Sequence, residues 1–448
     1  MLFTALEKEN IIERNRQEYG SVGRFMEFID PVEVERLTRQ RALILDRLDR
    51  FGVTRGANGT KLDMRRLSPG CRICVEGGWS CLFINNLCNA SCFYCPSAQK
   101  DLAVPATNHL TFDDPGFYAR YLQRFGFSGA SISGGEPFLT FEKSLDYIQK
   151  IREVNGPGFH IWMYTNGILS TPARLARLAK AGLNELRFDL TAVGYDTRKA
   201  AQATGIIETV TVEIPAIEGE LEPLKTMAGE LCAAGVRHLN LHQLRCTPFS
   251  VSRMIERGIA FIHAPFVLSA RSEVVALELL AYTLESGIDL PVNFCSFLYK
   301  YHSQNGASRR RGAGILPDPL HSVTPAGYLR ELSCGGAPVS ARELRDHAHE
   351  DIQLDYFESR ISQDHPAGET EVFSHGGRSL YVQKRRALIS VHLQGDEVEQ
   401  FRAPFLNDRP WGDEQTRAEM GRFHGTAAEK FSAIRAMEIL PEGSIEYF

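Results

Sequence analysis

Cys88-Asn89-Ala90-Ser91-Cys92-Phe93-Tyr94-Cys95 sets three thiols close together, with an aromatic residue directly before the last. Three thiolates hold three irons of a four-iron cluster and leave the fourth open, as a catalytic metal site keeps one position free for its reactant. A structural zinc knuckle closes on four ligands, and a ferredoxin-like electron carrier usually supplies four cysteines per cluster, whereas this loop supplies three. The apolar run Ser80–Ile84 just before it reads as a strand, so the loop follows a strand end.

Working outward, Gly129–Ser133, Phe159–Tyr164, Glu185–Leu190, Val210–Ile214 and His238–Leu241 are further short runs rich in β-branched and apolar residues. Helical stretches lie between them. Thr171 is placed to cap a helix with Pro172 at its first position and Gly182 just past its end, and Leu224, Met227, Ala228 and Leu231 give an apolar helical face that stops at Gly235. Strands separated by such helices imply parallel βαβ units with right-handed crossovers, and six of them suggest a curved sheet or partial barrel. Functional groups on such a sheet belong at the carboxyl ends of the strands. The cysteine loop follows the first strand, Gly134-Gly135-Glu136-Pro137 the second, and Thr165-Asn166-Gly167 the third. Consecutive glycines let backbone approach a ligand closely, and Glu136 offers a carboxylate to an ammonium group.

The pair of motifs, Cys88, Cys92, Tyr94 and Cys95 followed by Gly134 to Pro137 after the next strand, resembles the radical S-adenosylmethionine (radical SAM) superfamily over roughly residues 80–245. The resemblance implies an α/β fold, a partial (β/α)6 radical SAM barrel, and an enzyme. It implies that Cys88, Cys92 and Cys95 ligate a 4Fe-4S cluster whose open iron binds SAM, that Tyr94 lies near the adenine, and that Gly134, Gly135, Glu136 and Pro137 hold the methionine amino group. Asn166, Asp189 and the backbone around Ile217 are further cofactor candidates. The implied reaction is reductive cleavage of SAM to a 5'-deoxyadenosyl radical that takes hydrogen from a small-molecule or peptide substrate, fed by a low-potential donor such as flavodoxin or ferredoxin. The alternatives are a radical SAM methyltransferase or RNA-modifying enzyme and, outside catalysis, an iron-sulfur electron carrier or redox sensor. A weaker similarity to uncharacterised relatives of pyruvate formate-lyase activating enzymes rests on Cys71 to Pro96, Cys295-Ser296-x3-Lys300, Gln304 and Arg309-Arg310-Arg311.

Cys71-Arg72-Ile73-Cys74 has the spacing of a metal knuckle, Cys295 follows the expected strand Leu290–Phe294, and Cys334 lies in a Ser-Cys-Gly-Gly turn. Cys71, Cys74, Cys295 and Cys334 are candidate ligands of an auxiliary iron-sulfur cluster; the competing reading is ordinary buried cysteine, a small hydrophobe. Cys81, Cys232 and Cys246 read as structural.

At 448 residues the chain exceeds one ordinary core. The expected division is a helical N-terminal segment (1–70) with an apolar face of Val32, Val34, Leu37, Ala42, Leu43, Leu45 and Leu48, a core barrel with its cysteine-rich entry (71–300), and an α+β C-terminal domain (301–448). In the last, Val323–Leu332 and Val372–Leu393 read as hairpins and 413–436 as a helix. This region is a candidate cap that selects substrate. A net charge of -5 gives no general pull toward nucleic acid, and no apolar stretch has the length to span a bilayer. Ten cysteines without a secretion signal point to a cytoplasmic protein with reduced thiols. Arg309-Arg310-Arg311 reads as solvated surface or as a phosphate contact, and His347 with His349 is a weak metal pair.

Overall fold

The computed structural model describes residues 5–57, 59–315, 320–340, 343, 350–364, 370–384, 388–394, 397–398 and 426–438. It divides into two compact units, one built from residues up to Lys300 and one from Tyr301–Pro441.

The first unit is organised by seven parallel strands: β1 (Trp79–Phe83), β2 (Gly129–Ser133), β3 (His160–Thr165), β4 (Glu185–Phe188), β5 (Thr209–Pro215), β6 (His238–His242) and β7 (Val292–Cys295). Each pairs in parallel with the next in chain order. The six expected strands are present, and β7 joins them as a seventh. β1 and β7 lie far apart in the row, so the sheet is open. Antiparallel hairpins extend it at both sides, Arg55–Gly56 with Lys61–Leu62 beyond β7 and Ala106–Thr107 with Leu110–Thr111 beyond β1.

Local chemistry sets the crossovers. Asp114 caps the helix Pro115–Arg124 by accepting from Phe117 N at 2.7 Å, and Thr171 caps Pro172–Ala181, which ends on the left-handed Gly182. Strand alternation sends Leu82, Ile132, Ile161, Met163, Leu186, Val212, Leu239 and Phe294 into the apolar layer, all fully buried. The opposite face is polar: Ser131, His160, Glu185, Arg187, Glu213, Asn240 and Asn293 occupy it, and the helix Pro69–Val75 lies against that face.

The N-terminal segment departs from an all-helical reading. Helices Ala5–Tyr19 and Pro31–Arg50 form, but residues 55–62 are the edge hairpin just described, with Gly59 in the left-handed region at its turn. The buried stripe of Pro31–Arg50 is Leu37, Ile44, Leu45 and Leu48, while Val32 and Leu43 are exposed. Arg41 and Arg47 on this helix pair with Glu273, Glu278 and Glu285 of Ser272–Glu285, which fixes which side faces inward.

In the second unit, strands His321–Val323, Leu329–Cys334, Ile352–Phe357 and Ile389–Leu393 form an antiparallel sheet, with Ala337–Val339 paired to the second of them. Ser359–Ser362, Thr370–His375 and Arg378–Lys384 form another, and the helix Thr426–Glu438 packs Phe431 and Ile434 into the core of the first. Hairpins form at His321–Val323 with Leu329–Cys334 and at Thr370–His375 with Arg378–Lys384, whereas Ile389–Leu393, expected within the second, pairs with Ile352–Phe357; of the expected 413–436 helix, residues 413–425 fall outside the described residues, as do His347 and His349. Arg309 donates to Ala326 O and stacks on Tyr328, and Arg310 donates to Pro325 O, so two of the three arginines brace a turn within this unit.

Candidate active site

The cysteine loop bridges two short strands, Asn86–Leu87 and Lys100–Asp101, and its thiols Cys88, Cys92 and Cys95 are all partly exposed. Three kinds of contact hold it. Arg253 donates to Cys92 O at 2.9 Å and to Cys95 O at 3.3 Å. Phe93 and Tyr94 pack on an apolar cluster that includes Tyr19, Met26, Leu244, Met254 and Phe261, so the N-terminal segment supplies part of the wall behind the loop. Tyr94 also donates its hydroxyl to Asp189 Oδ2 at 2.6 Å, tying the loop to the carboxyl end of β4.

The turn after β2 meets the same loop at close quarters. A Cβ on Gly135 would lie 1.7 Å from Leu87 O, and one on Gly134, at φ +129°, would lie 2.5 Å from Asn85 O. Only glycines fit there. Glu136 N donates to Leu87 O at 2.6 Å, and Asn85 Nδ2 donates to Glu136 O at 3.1 Å.

The Glu136 side chain differs from the expectation of an ammonium acceptor. It is 1% exposed, and its oxygens accept from Phe138 N at 3.0 Å, Thr165 Oγ1 at 2.9 Å and Asn166 N at 2.7 Å. Glu136 thus braces the turn after β2 to the turn after β3, leaving backbone to face a ligand. Burial pushes its carboxyl up to about 7 despite these donors. Asn166 spans back to the loop, donating to Asn89 Oδ1 at 2.7 Å and toward Cys88 Sγ at 3.7 Å. Asp189 takes the Tyr94 proton donor and Thr191 N, and burial raises its carboxyl. Ile217 is buried past the end of β5, its carbonyl accepting from Glu220 N at 3.2 Å.

The donor set fits a cluster held by three thiolates. Cys88 Sγ accepts from Ala90 N at 3.4 Å as well as from Asn166, bonds that favour an anionic sulfur. Burial pushes the Cys92 thiol up to about 11 and raises Cys88, so on their own these sulfurs keep their protons; a bound cation removes them.

Of the second cysteine group, Cys71, Cys74 and Cys295 belong to the first unit and Cys334 to the second. Cys71 and Cys74 lie on Pro69–Val75 and Cys295 at the end of β7, and ionised, all three would favour the charged form of the buried Lys61. Cys71 Sγ accepts from Asn240 Nδ2 at 3.2 Å, Cys74 Sγ lies 3.3 Å from Tyr299 Oη, and Lys61 Nζ lies 2.6 Å from Cys295 Sγ. Cys334 lies instead in the apolar core of the second unit, among Leu332, Val339 and Ile352. There the small-hydrophobe reading describes its surroundings, because its strand alternation turns it into that core. Cys81 faces Ser131 and Ser133 rather than the apolar layer, and burial pushes its thiol up to about 11.

A charged layer below the site carried no motif. Arg187 is buried between Glu185, at 2.8 Å, and Glu213, at 2.6 Å, and its guanidinium lies over Trp162 and Tyr164. Its NH2 reaches Ser68 Oγ at 3.1 Å, which fixes the start of the helix that carries Cys71. Lys61 and Arg253 were equally silent in sequence, since each meets its cysteine partner only through the fold.

Residues 82–242 match the model of the Radical SAM superfamily. The chain carries a radical SAM domain. A protein of Methanocaldococcus jannaschii named as a glycyl-radical enzyme activating enzyme is 27% identical over 278 residues, 59% of this chain and 72% of that protein. A GTP 3',8-cyclase of Aliarcobacter butzleri is 24% identical over 59% of this chain and 68% of its own length. Among solved structures, SuiB of Streptococcus suis bound to S-adenosylmethionine matches with a TM-score of 0.35 at 12% identity, over 48% of this chain and 49% of SuiB. The family matched over residues 82–242 is one that implies SAM and a 4Fe-4S cluster. No helix among the described residues is long and apolar enough to cross a membrane.

Proposed function

We propose that this radical SAM enzyme binds a 4Fe-4S cluster through Cys88, Cys92 and Cys95 and SAM beside it, and acts on a small molecule or a peptide. When bound, the cluster supplies the electron that cleaves SAM into methionine and a 5'-deoxyadenosyl radical, which takes hydrogen from the substrate. The observation that carries this reading is the meeting of the three-thiol loop with a glycine turn that no side chain can enter.

The chain's own residues position and shield. Gly134 and Gly135 let backbone reach the SAM methionine, with Pro137 closing the turn, while Glu136 and Asn166 lock that turn and the loop into one frame. Tyr94 and Asp189 border the adenosine side, and the Ile217 backbone region closes it. Phe93, Tyr94 and the apolar cluster behind them keep water from one side of the loop. A single-electron donor of the flavodoxin or ferredoxin kind completes the cycle, and the cytoplasm keeps its thiols reduced.

We further propose an auxiliary iron-sulfur cluster held by Cys71, Cys74 and Cys295 on the polar face of the sheet. The support is the two-residue spacing of Cys71 and Cys74 and the electrostatic influence of these two and Cys295 on one buried ammonium, Lys61; among the described residues no three such side chains are gathered closely enough to hold a single metal ion. Substrates named for the relatives, a protein for the activating enzyme and a nucleotide for the cyclase, span the two classes kept here.

Anaerobic reconstitution with iron and sulfide, followed by reduction in the presence of SAM, tests the main reading by chromatography of the products. Wild type should form 5'-deoxyadenosine and Cys92→Ala should form none. Intact SAM beside a fully loaded, reduced cluster would sink the proposal.

A further inference from the structure

Arg245 lies shortly past the end of β6, on the side of the sheet where the strands reach their carboxyl ends. Its backbone bridges to Leu268, with Cys246 N donating to Val267 O and Ser269 N to Leu244 O, both at 2.9 Å. Leu244 and Cys246 on either side enter the apolar cluster behind Phe93 and Tyr94, so alternation turns Arg245 away from that cluster. There its guanidinium sits against two aromatic rings, 4.0 Å from the centroid of Phe266 and 5.0 Å from that of Phe297. The rings meet edge to face at 5.2 Å and 80°, which makes a slot with two apolar walls. Gln243 fixes one wall: its side-chain oxygen accepts from Phe297 N at 3.0 Å, and its own N donates to Cys295 O at 3.1 Å.

This cation lacks the counter-charge that its neighbours have. Arg41, Arg187 and Arg271 of the same unit all pair with glutamates. Among the described residues no carboxylate pairs with Arg245, and its buried Nε has no hydrogen-bond partner. Gln243 Nε2, also buried, lacks an acceptor as well, so one turn holds two donors with nothing to receive them. Desolvating a guanidinium without an acceptor is unfavourable, and stacking on rings offsets only part of that.

A planar fork already held in place loses little freedom on meeting an oxyanion, and a carboxylate matches both its geometry and its single charge. A phosphate dianion calls for a second cation, and among the described residues Arg245 is the one stacked on these rings. We infer that the Arg245 slot binds a carboxylate of the substrate, with Phe266 and Phe297 receiving the apolar carbon next to it. This rests on the reading above that the carboxyl ends of the strands form the active face. Arg245 is a specificity residue and takes no part in hydrogen transfer.

The test uses the full chain, reconstituted anaerobically with iron and sulfide, and reads binding by calorimetry without reductant, so that no SAM is cleaved. The probes are N-acetylphenylalanine, which carries a free carboxylate, its neutral amide, and phenyl phosphate. Wild type should bind the carboxylate at least about tenfold tighter than the amide, and Arg245→Gln should bring the two level. Equal affinities in wild type, a preference that survives in Arg245→Gln, or tighter binding of phenyl phosphate overturns the inference. Should Arg245→Gln not fold, wild type alone decides. Phenylglyoxal labelling, mapped by peptide mass, should be slowed at Arg245 by the carboxylate and not by the amide, and unslowed labelling overturns the assignment. Added SAM should leave the probe affinity unchanged; competition would assign the slot to the SAM carboxylate and overturn it likewise. Probe binding and SAM cleavage are separate readouts, so either reading can fall while the other stands.

Discussion

Replacing Gly135 with Ala puts a methyl carbon 1.7 Å from Leu87 O, 2.2 Å from Leu87 C and 2.8 Å from Leu87 N. All three are backbone atoms, so no side chain can rotate away. Contacts under 3.0 Å are not tolerated, and the turn must therefore retreat from the loop by at least about 1.3 Å. Such a retreat breaks the 2.6 Å bond from Glu136 N to Leu87 O, a loss of roughly 1 kcal/mol, on top of overpacking that typically costs about 1–3 kcal/mol. A destabilisation of about 2–4 kcal/mol corresponds to a melting temperature lower by roughly 3–6 °C for a unit of this size. SAM affinity should fall at least about tenfold, because the backbone that faces the methionine moves with the turn. Gly158→Ala is the control, since its added Cβ meets nothing within 4 Å. Calorimetric melting and SAM titration of the reconstituted protein give both numbers. A Gly135→Ala protein with the melting temperature and SAM affinity of wild type would refute the account of this turn.

Further outcomes follow from other residues. Glu136 binds its proton more tightly folded, near 7, than unfolded, near 4.5; the stability this confers is complete below about pH 4.5 and lost as pH rises through 7. Glu136→Gln should flatten that slope, worth on the order of 3 kcal/mol, and urea melts across this range will show it. Arg187→Met strands Glu185 and Glu213 and should cost about 3–5 kcal/mol by chemical denaturation, whereas a loss under about 1 kcal/mol would contradict the pairing described. Cys334→Ala should leave the iron content unchanged and lower stability by about 1 kcal/mol; an iron loss would return Cys334 to the ligand set. Tyr94→Phe removes a bond to a carboxylate and should weaken SAM binding several-fold with cluster iron intact.

The strands and the two motifs after β1 and β2 were legible because their signals are local: a run of apolar residues, a thiol spacing, a glycine pair. The parallel row followed from the helices between strands, and the strand bounds moved by a residue or two. What escaped reading depends on register. Lys61 sits in a segment that passes for helical, and its meaning appears only when residues 61 and 295 stand opposite each other. Arg253 follows no motif, and its role comes from reaching carbonyls far away in sequence. The turn at Glu136 was legible as a turn, but a sequence does not show that three internal donors occupy its carboxylate. Cys334 was grouped with the other candidates from its Ser-Cys-Gly-Gly turn, which does not show that strand alternation points it into an apolar core.

The short hairpins at residues 55–62 and 106–111 have a further effect. A parallel sheet that ended on β1 or β7 would present a row of unpaired amides and carbonyls, a template for another chain. Here the outermost strands, Arg55–Gly56 and Leu110–Thr111, are two residues each, too short to seed extended pairing. Among the described residues the long sheet thus ends at both borders on strands that give another chain little to pair with, which guards it against fibril-like growth.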